Sequence, residues 1–380
     1  MDKKSTLNGA LVAALFLVPT MGMSQKTGKS IKIVAIVSAS GKPAQYGSDN
    51  KDGISLAVKY INSKGGINGR KIEIIWEQTD GLPDGVAPIA RKYMGDASIA
   101  AILGPTTTDE TTVLVNLLQQ QNPPIPLLSV GSTGSWLPNN GIFPSGVFRS
   151  TRNDSIIVPN ILKVIQQKEH PKTAAIIYHN DNAWSVSVLP IYEFELKKLG
   201  IRLVAKEPIS KSSTDPVPQI TKIRGANPDL IIVNTLAAAG IKAVAESRAM
   251  GMKSVFVGTT AFANPKAFTI GDKLNGVYNG DIYDPNAKTA ENIAFTKIFQ
   301  AEYKRQPPAY SAYGYAGTLL LAEALKRTKT PEDHLALQRS LGGLKNIHTV
   351  LGVVSYNGKG DITQRPAVLR IVNGTYQTVR

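Results

Sequence analysis

The sequence predicts an α/β protein built as two Rossmann-like lobes, each with a parallel sheet. Three observations point there. Strand-like and helix-like patterns alternate through most of the 380 residues, and that alternation is the mark of β–α–β units. The rhythm then changes: an extended run at 276–283 leads into two successive helical patterns with no strand between them. The length also suits two domains of ordinary size. With 42% apolar residues, each domain can bury its own core.

The first unit shows the logic. Residues 31–37 form a nearly continuous apolar run and predict a buried strand. The stretch 52–62 carries Ile54, Ala57, Val58 and Ile61 at helical spacing. Gly65 and Gly66 can adopt the positive φ that ends a helix, and Asn68-Gly69 is a turn pair. A second strand follows at 71–76. Further strands are expected at 99–103, 126–129, 173–178, 201–207, 229–234 and 254–257. Helices are expected at 84–94, 109–120, 154–168, 184–199, 216–225, 237–250, 290–304 and 313–327. Asp84 and Asp154 are candidate caps, and Gly200 and Gly251 are helix stops. Residues 351–355 and 368–372 flank an Asn-Gly-Lys-Gly turn and predict a terminal hairpin.

The N-terminus has three parts: Lys3-Lys4, an apolar stretch at 10–18, then Pro19 with small residues at Gly22 and Ser24. This predicts a secretory signal peptide over 1–24, cut near Ser24/Gln25 or else after Gly22. The apolar run is too short to span a bilayer. The expected location is the periplasm. Cysteine is absent, which excludes disulfides, thiol nucleophiles and a lipid-attachment cysteine. The net charge is +15, from 43 basic against 28 acidic residues. No basic run exceeds two residues, so the excess reads as a cationic surface and not as a nucleic-acid site.

Ligands of open α/β sheets bind beyond the carboxyl ends of strands. Two hydroxyl-rich segments lie there, at 106–112 and 129–135. Side-chain hydroxyls and open backbone N–H groups at a helix start hold a carboxylate without Lys or Arg. The same residues also serve as plain helix caps. Catalysis finds little support. The four histidines, His170, His179, His334 and His348, lack metal-ligand spacing. Ser132 is not in a nucleophile elbow, and neither a dinucleotide fingerprint nor a Walker A lysine is present. No metal or cofactor is expected. Asp109-Glu110 and Glu332-Asp333 read as first-turn acids.

Several motifs fall in a telling order: Ala-Gln-Tyr-Gly at 44–47, Gly-Gly-Ile-Asn-Gly-Arg at 65–70, Ala-Ile-Leu-Gly-Pro at 101–105, Phe148-Arg149 with Asp154, and Tyr-Asn-Gly-Lys-Gly-Asp at 356–361. In this order the chain resembles the leucine/isoleucine/valine-binding protein family, the type I periplasmic solute-binding proteins of ABC importers, over roughly residues 31–375. The resemblance implies two lobes joined by three hinge crossovers, near 148–152, 279–284 and 350–355. Lobe 1 would be 31–149 plus 284–350, and lobe 2 would be 150–279 plus 352–380. It implies a protein that closes on a small molecule and delivers it to a permease driven by ATPase subunits; separately, a monomer is expected. Matched by position, Thr107 or Thr108, Gly131 through its backbone, and Thr133 would hold the ligand's carboxylate, with Ser132 between them as a further candidate, and Tyr46 would flank the ligand's side chain.

The second lobe departs from the family pattern. Amino-acid-binding members typically carry an acid just after the strand equivalent to 254–257, where this chain has Gly-Thr-Thr-Ala-Phe-Ala at 258–263. An aromatic common after the preceding strand is replaced by Leu236. A buried ammonium without a carboxylate is costly. Asp181, Asp281 or Asp284 could replace the missing acid if one points inward. The expected wall of Trp184, Leu236, Thr260 and Phe262 suits a carboxylic acid with an apolar or aromatic tail. Branched-chain amino acids, a ligand-sensing module and an enzyme on the same scaffold are the alternatives.

Overall fold

A computed structural model describes residues 29–135, 146–213, 215–262 and 271–379. The stretch 1–24, expected to be a signal peptide, lies outside them. Five parallel strands, β1 (Ile31–Ser38), β2 (Ile72–Thr79), β3 (Ile99–Leu103), β4 (Leu127–Ser129) and β5 (Val147–Arg149), form one sheet in the order β2-β1-β3-β4-β5. A second sheet holds β6 (Thr173–His179), β7 (Arg202–Ile209), β8 (Leu230–Asn234), β9 (Val255–Val257) and β10 (Tyr278–Asp281), all parallel. Between that run and the final hairpin, β11 (Ile347–Thr349) and β12 (Gly352–Val354) pair only with each other. The second sheet is completed by β13 (Ala367–Val372) and β14 (Thr375–Thr378), which add antiparallel at the β10 edge. Central strands β3 and β8 are buried along their whole length, whereas edge strands β2 and β7 alternate with exposed positions. That difference follows from helices covering both faces of a parallel sheet.

Ten α-helices lie among the described residues. The first seven are α1 (Ala44–Ser63), α2 (Val86–Tyr93), α3 (Thr108–Leu118), α4 (Asp154–Glu169), α5 (Ala183–Lys198), α6 (Val217–Ala226) and α7 (Ala237–Ala249). After β10 come α8 (Ala290–Tyr303), α9 (Ala309–Lys326) and α10 (His334–Gly342). Helix α9 is apolar nearly all round and lies along α1. Gly53 permits that approach: a Cβ there would stand 2.0 Å from the Ser311 carbonyl oxygen. No helix among the described residues is long and apolar enough to cross a membrane.

The alternating core matches the expectation, and the ends of elements supply the corrections. Helix α1 begins at Ala44, so Tyr46 sits in its first turn and not in a loop. Asp84 lies inside a short 3-10 turn and caps nothing. The cap of α4 is Asn153, whose side chain accepts the Ser155 N–H, and Asp154 is the first helical residue. The terminal hairpin is β13–β14 about Asn373-Gly374, both at positive φ, while residues 352–354 pair with β11 instead. Asn373-Gly374 is the whole link between its two strands, whereas Asn357-Gly358 lies within a longer connection between β12 and β13. The 357–360 segment instead closes a loop that buries Asp361. Helix α10 has no counterpart among the expected helices.

Candidate ligand-binding cavity

A cavity of about 360 Å³ opens beyond the carboxyl ends of both sheets. Eight of the eleven residues expected at the site line it: Tyr46, Thr107, Thr108, Gly131, Thr133, Trp184, Leu236 and Thr260. Thr106, Asp109, Asn182, Lys211 and Tyr310 join them.

One wall is built by the loops after β3 and β4. Thr107 caps α3 in a reciprocal box: its hydroxyl accepts the Glu110 N–H at 3.3 Å, and Glu110 Oε2 accepts the Thr107 N–H at 3.3 Å. The Thr107 hydroxyl proton also goes to Glu110, at 2.8 Å. Glu110 is fully buried and further accepts the hydroxyls of Ser38 and Thr79, which ties the ends of β1 and β2 to the start of α3. Thr107 is therefore spent on capping. Thr106 and Thr108 differ, because each hydroxyl accepts a backbone N–H, from Ser38 at 3.2 Å and from Gly134 at 3.4 Å. Their own protons remain to be donated. The N–H groups of Thr108 and Asp109, in the first turn of α3, have no intrahelical acceptor. Gly131 brings the two loops together: a Cβ there would stand 2.1 Å from the Thr106 carbonyl oxygen.

The opposite wall comes from the loops after β6, β8 and β9. It presents Trp184, Leu236 and Thr260. The Trp184 indole N–H donates to Asp154 Oδ2 at 2.8 Å, which fixes the ring. Burial pushes the Asp154 carboxyl up to about 6, against the hydrogen bonds and the Arg149 charge that lower it. Tyr46 stacks on Tyr310 with centroids 4.7 Å apart, and its hydroxyl accepts the Ala237 N–H at the start of α7 at 3.2 Å. Asp109 spans the two walls: it accepts Asn182 Nδ2 at 2.5 Å and the Ala183 N–H at 2.6 Å, with Lys211 Nζ 3.7 Å away.

Three expected residues are not brought to the cavity. The Ser132 hydroxyl turns inward, bonding Thr111 and the Thr107 carbonyl. Phe262 is wholly buried against Gly240 and Gly258, where its ring fills the space a Cβ would need. Asp281 is buried and accepts the Tyr313 hydroxyl at 2.5 Å. Among the candidate acids, Asp181 does line the cavity, with both oxygens engaged by Ser210 and the Lys211 N–H. Burial would raise its carboxyl, but the Ser210 and backbone N–H bonds together outweigh that and hold it below the usual range. Tyr310 was missed because it lies over 260 residues from Tyr46 in the chain; only the aromatic run at the start of α9 signals it. Asn182 was legible as an Asn just before a helix. Among the described residues no group of three His, Asp or Glu is placed to hold a metal ion.

Two sheets whose strand ends converge on a polar-and-apolar cavity define a solute-binding fold. The chain belongs to the periplasmic binding protein family, whose pattern matches residues 30–375. That is a family of binding proteins, not enzymes. It is similar to a Leu/Ile/Val-binding protein homolog of Brucella melitensis, 23% identical over 360 residues, covering 94% of this chain and 95% of the relative. A Leu/Ile/Val/Thr-binding protein of Salmonella typhimurium is 25% identical over 335 residues, covering 87% and 88%. Among solved structures, the substrate-binding protein LivJ of Streptococcus pneumoniae in complex with isoleucine superposes with a TM-score of 0.82 at 23% identity, covering 92% of this chain and 99% of that one. A solute-binding protein of R. palustris in complex with benzoate gives 0.82 at 16% identity, covering 92% and 95%.

Proposed function

We propose that this chain is the exported solute-binding component of an ABC importer and captures a small carboxylate with an apolar or aromatic tail. The observation that carries the reading is the contrast across one cavity. Open first-turn N–H groups and the donor hydroxyls of Thr106 and Thr108 lie on one side, and Trp184 and Leu236 lie on the other. The carboxylate sits at the start of α3, where the helix dipole favours an anion. The tail lies against the indole and Leu236. Lobes of 31–149 plus 284–350 and 150–279 plus 352–380 close about crossovers near 148–152, 279–284 and 350–355. The protein works in the periplasm as a monomer and docks on a permease with ATPase subunits. Relatives named for Leu, Ile and Val and a neighbour holding benzoate support this ligand class.

One observation favours a second reading, a hydrophobic amino acid: Asp181 and Asp109 both line the cavity. Each carboxylate is already engaged by protein donors, which is why the amine-free acid is preferred. A thermal-shift screen of refolded, ligand-free protein tests the choice. Amine-free acids far above their dissociation constants are expected to stabilise by about 3–4 kcal/mol. Stabilisation by leucine or valine alone would replace the first reading with the second.

A further inference from the structure

The loop after β4 is held from behind by the crossover that follows β5. Arg149 Nη1 donates to the Gly134 carbonyl at 3.0 Å and to the Ser132 carbonyl at 3.4 Å. The Thr151 hydroxyl donates to the same Ser132 carbonyl at 2.5 Å. The Asp154 N–H donates to the Thr133 carbonyl at 3.0 Å, and Asn153 Nδ2 to the Ser135 carbonyl at 2.9 Å. Four consecutive carbonyls are thus drawn to one side. In a trans peptide the N–H points opposite to the C=O before it. The N–H groups of Thr133, Gly134 and Ser135 therefore face away from the crossover. Gly134 gives an independent check, since its N–H reaches the cavity-lining hydroxyl of Thr108.

The clamp is itself anchored. Arg149 is 1% exposed, and its Nε pairs with Asp361 Oδ1 at 2.7 Å. The Arg149 N–H also donates to the Gly360 carbonyl at 3.1 Å. Asp361 arrives from the distant segment after β12. Arg149 does not line the cavity, so it acts only through the loop.

We infer that Arg149, with Thr151, is a positioning residue that holds the Ser132 carbonyl and so aims the N–H of cavity-lining Thr133 at the ligand's anionic group, making anion selectivity depend on the buried Arg149–Asp361 anchor. This rests on the carboxylate reading above. A guanidinium fork can serve two carbonyls and a carboxylate at once, which an ammonium cannot match in geometry. The loop would thereby prefer a carboxylate over its neutral amide, whose NH₂ meets donors.

The test uses matched probes that differ only at that group: benzoate with benzamide, 4-methylpentanoate with 4-methylpentanamide, and leucine with leucinamide. Dissociation constants are measured by calorimetry for the wild type, Arg149→Lys and Thr151→Val. The paired variant Arg149→Met/Asp361→Leu replaces the buried ion pair by apolar volume, which preserves folding in comparable cases; thermal unfolding monitors it. The wild type is expected to prefer an acid over its amide. Arg149→Lys and the paired variant are expected to lose about tenfold of that preference, and Thr151→Val less, with amide affinity nearly unchanged. An unchanged acid-to-amide ratio, or equal loss for acid and amide, would overturn the inference and leave the carboxylate reading intact. A wild type that binds no acid would overturn the carboxylate reading itself.

Discussion

The two walls of the cavity present different chemistry. The wall after β3 and β4 is mostly backbone and hydroxyl, and its polar groups are oriented by buried partners: Glu110 under α3, and Arg149, Thr151 and Asn153 behind the next loop. The wall after β6, β8 and β9 offers an indole, a leucine and a threonine beside Asp181 and Asn182, whose polar groups are engaged by protein partners, and a buried hydrogen bond fixes the indole. On the proposed reading the first wall recognises a group, and rigid donors suit that task because each must be aimed. The second measures size and apolarity, which surface and shape do without aiming. Change of ligand within one fold thus falls most readily on the second wall.

The difference can be broken most severely at Gly131. Gly131→Val puts a side chain where the Thr106 carbonyl stands, and affinity for every ligand is expected to fall by about 100-fold or more by calorimetry. Trp184→Ala removes the apolar face alone. It is expected to cost about 1.5–3 kcal/mol of affinity while leaving the acid-over-amide ratio intact. A changed ratio would show that the two walls are not separable.

A pH measurement reaches beneath the second wall. Burial pushes the Asp281 carboxyl up to about 7, although the Tyr313 hydroxyl and backbone N–H groups draw it down. The folded protein therefore binds a proton that the unfolded chain releases near pH 4. The contribution to stability is full below about pH 4 and is lost as pH rises through about 7. Asp281→Asn is expected to be more stable than wild type at pH 8 by about 1–3 kcal/mol, with the gap closing toward pH 4, in denaturant titrations. The smallest effect is expected at Thr107→Val, which loses the cap of α3. Stability falls by about 1 kcal/mol, with less than about a twofold change in affinity, because that hydroxyl already serves Glu110. A large loss of affinity there would return Thr107 to the ligand.

The fold was legible because strand and helix periods differ and because glycine pairs punctuate them. Gly65, Gly66, Gly200 and Gly251 all stop helices at positive φ as their positions implied. Cap identity was less legible: Asn153 and Asp154 are adjacent acceptors, and only the chain's entry angle decides between them. Hydroxyl-rich loops pointed to the cavity but not to which hydroxyl is free, since that depends on Glu110, whose partners come from three elements. Ser132 and Phe262 stand close in sequence to cavity residues yet face the interior, because one residue's shift along a loop reverses a side chain, whereas Asp281 ends β10 away from the cavity and is held by the Tyr313 hydroxyl. Tyr310 and the Arg149–Asp361 pair depend on contacts between distant segments, and no local pattern encodes those.

The most direct measurement is calorimetric titration of ligand-free protein with 4-methylpentanoate and leucine, which differ only by the ammonium group. The account predicts tighter binding of 4-methylpentanoate, since neither Asp181 nor Asp109 is left without protein donors. Tighter binding of leucine would contradict it and would assign the ammonium to Asp109 or Asp181.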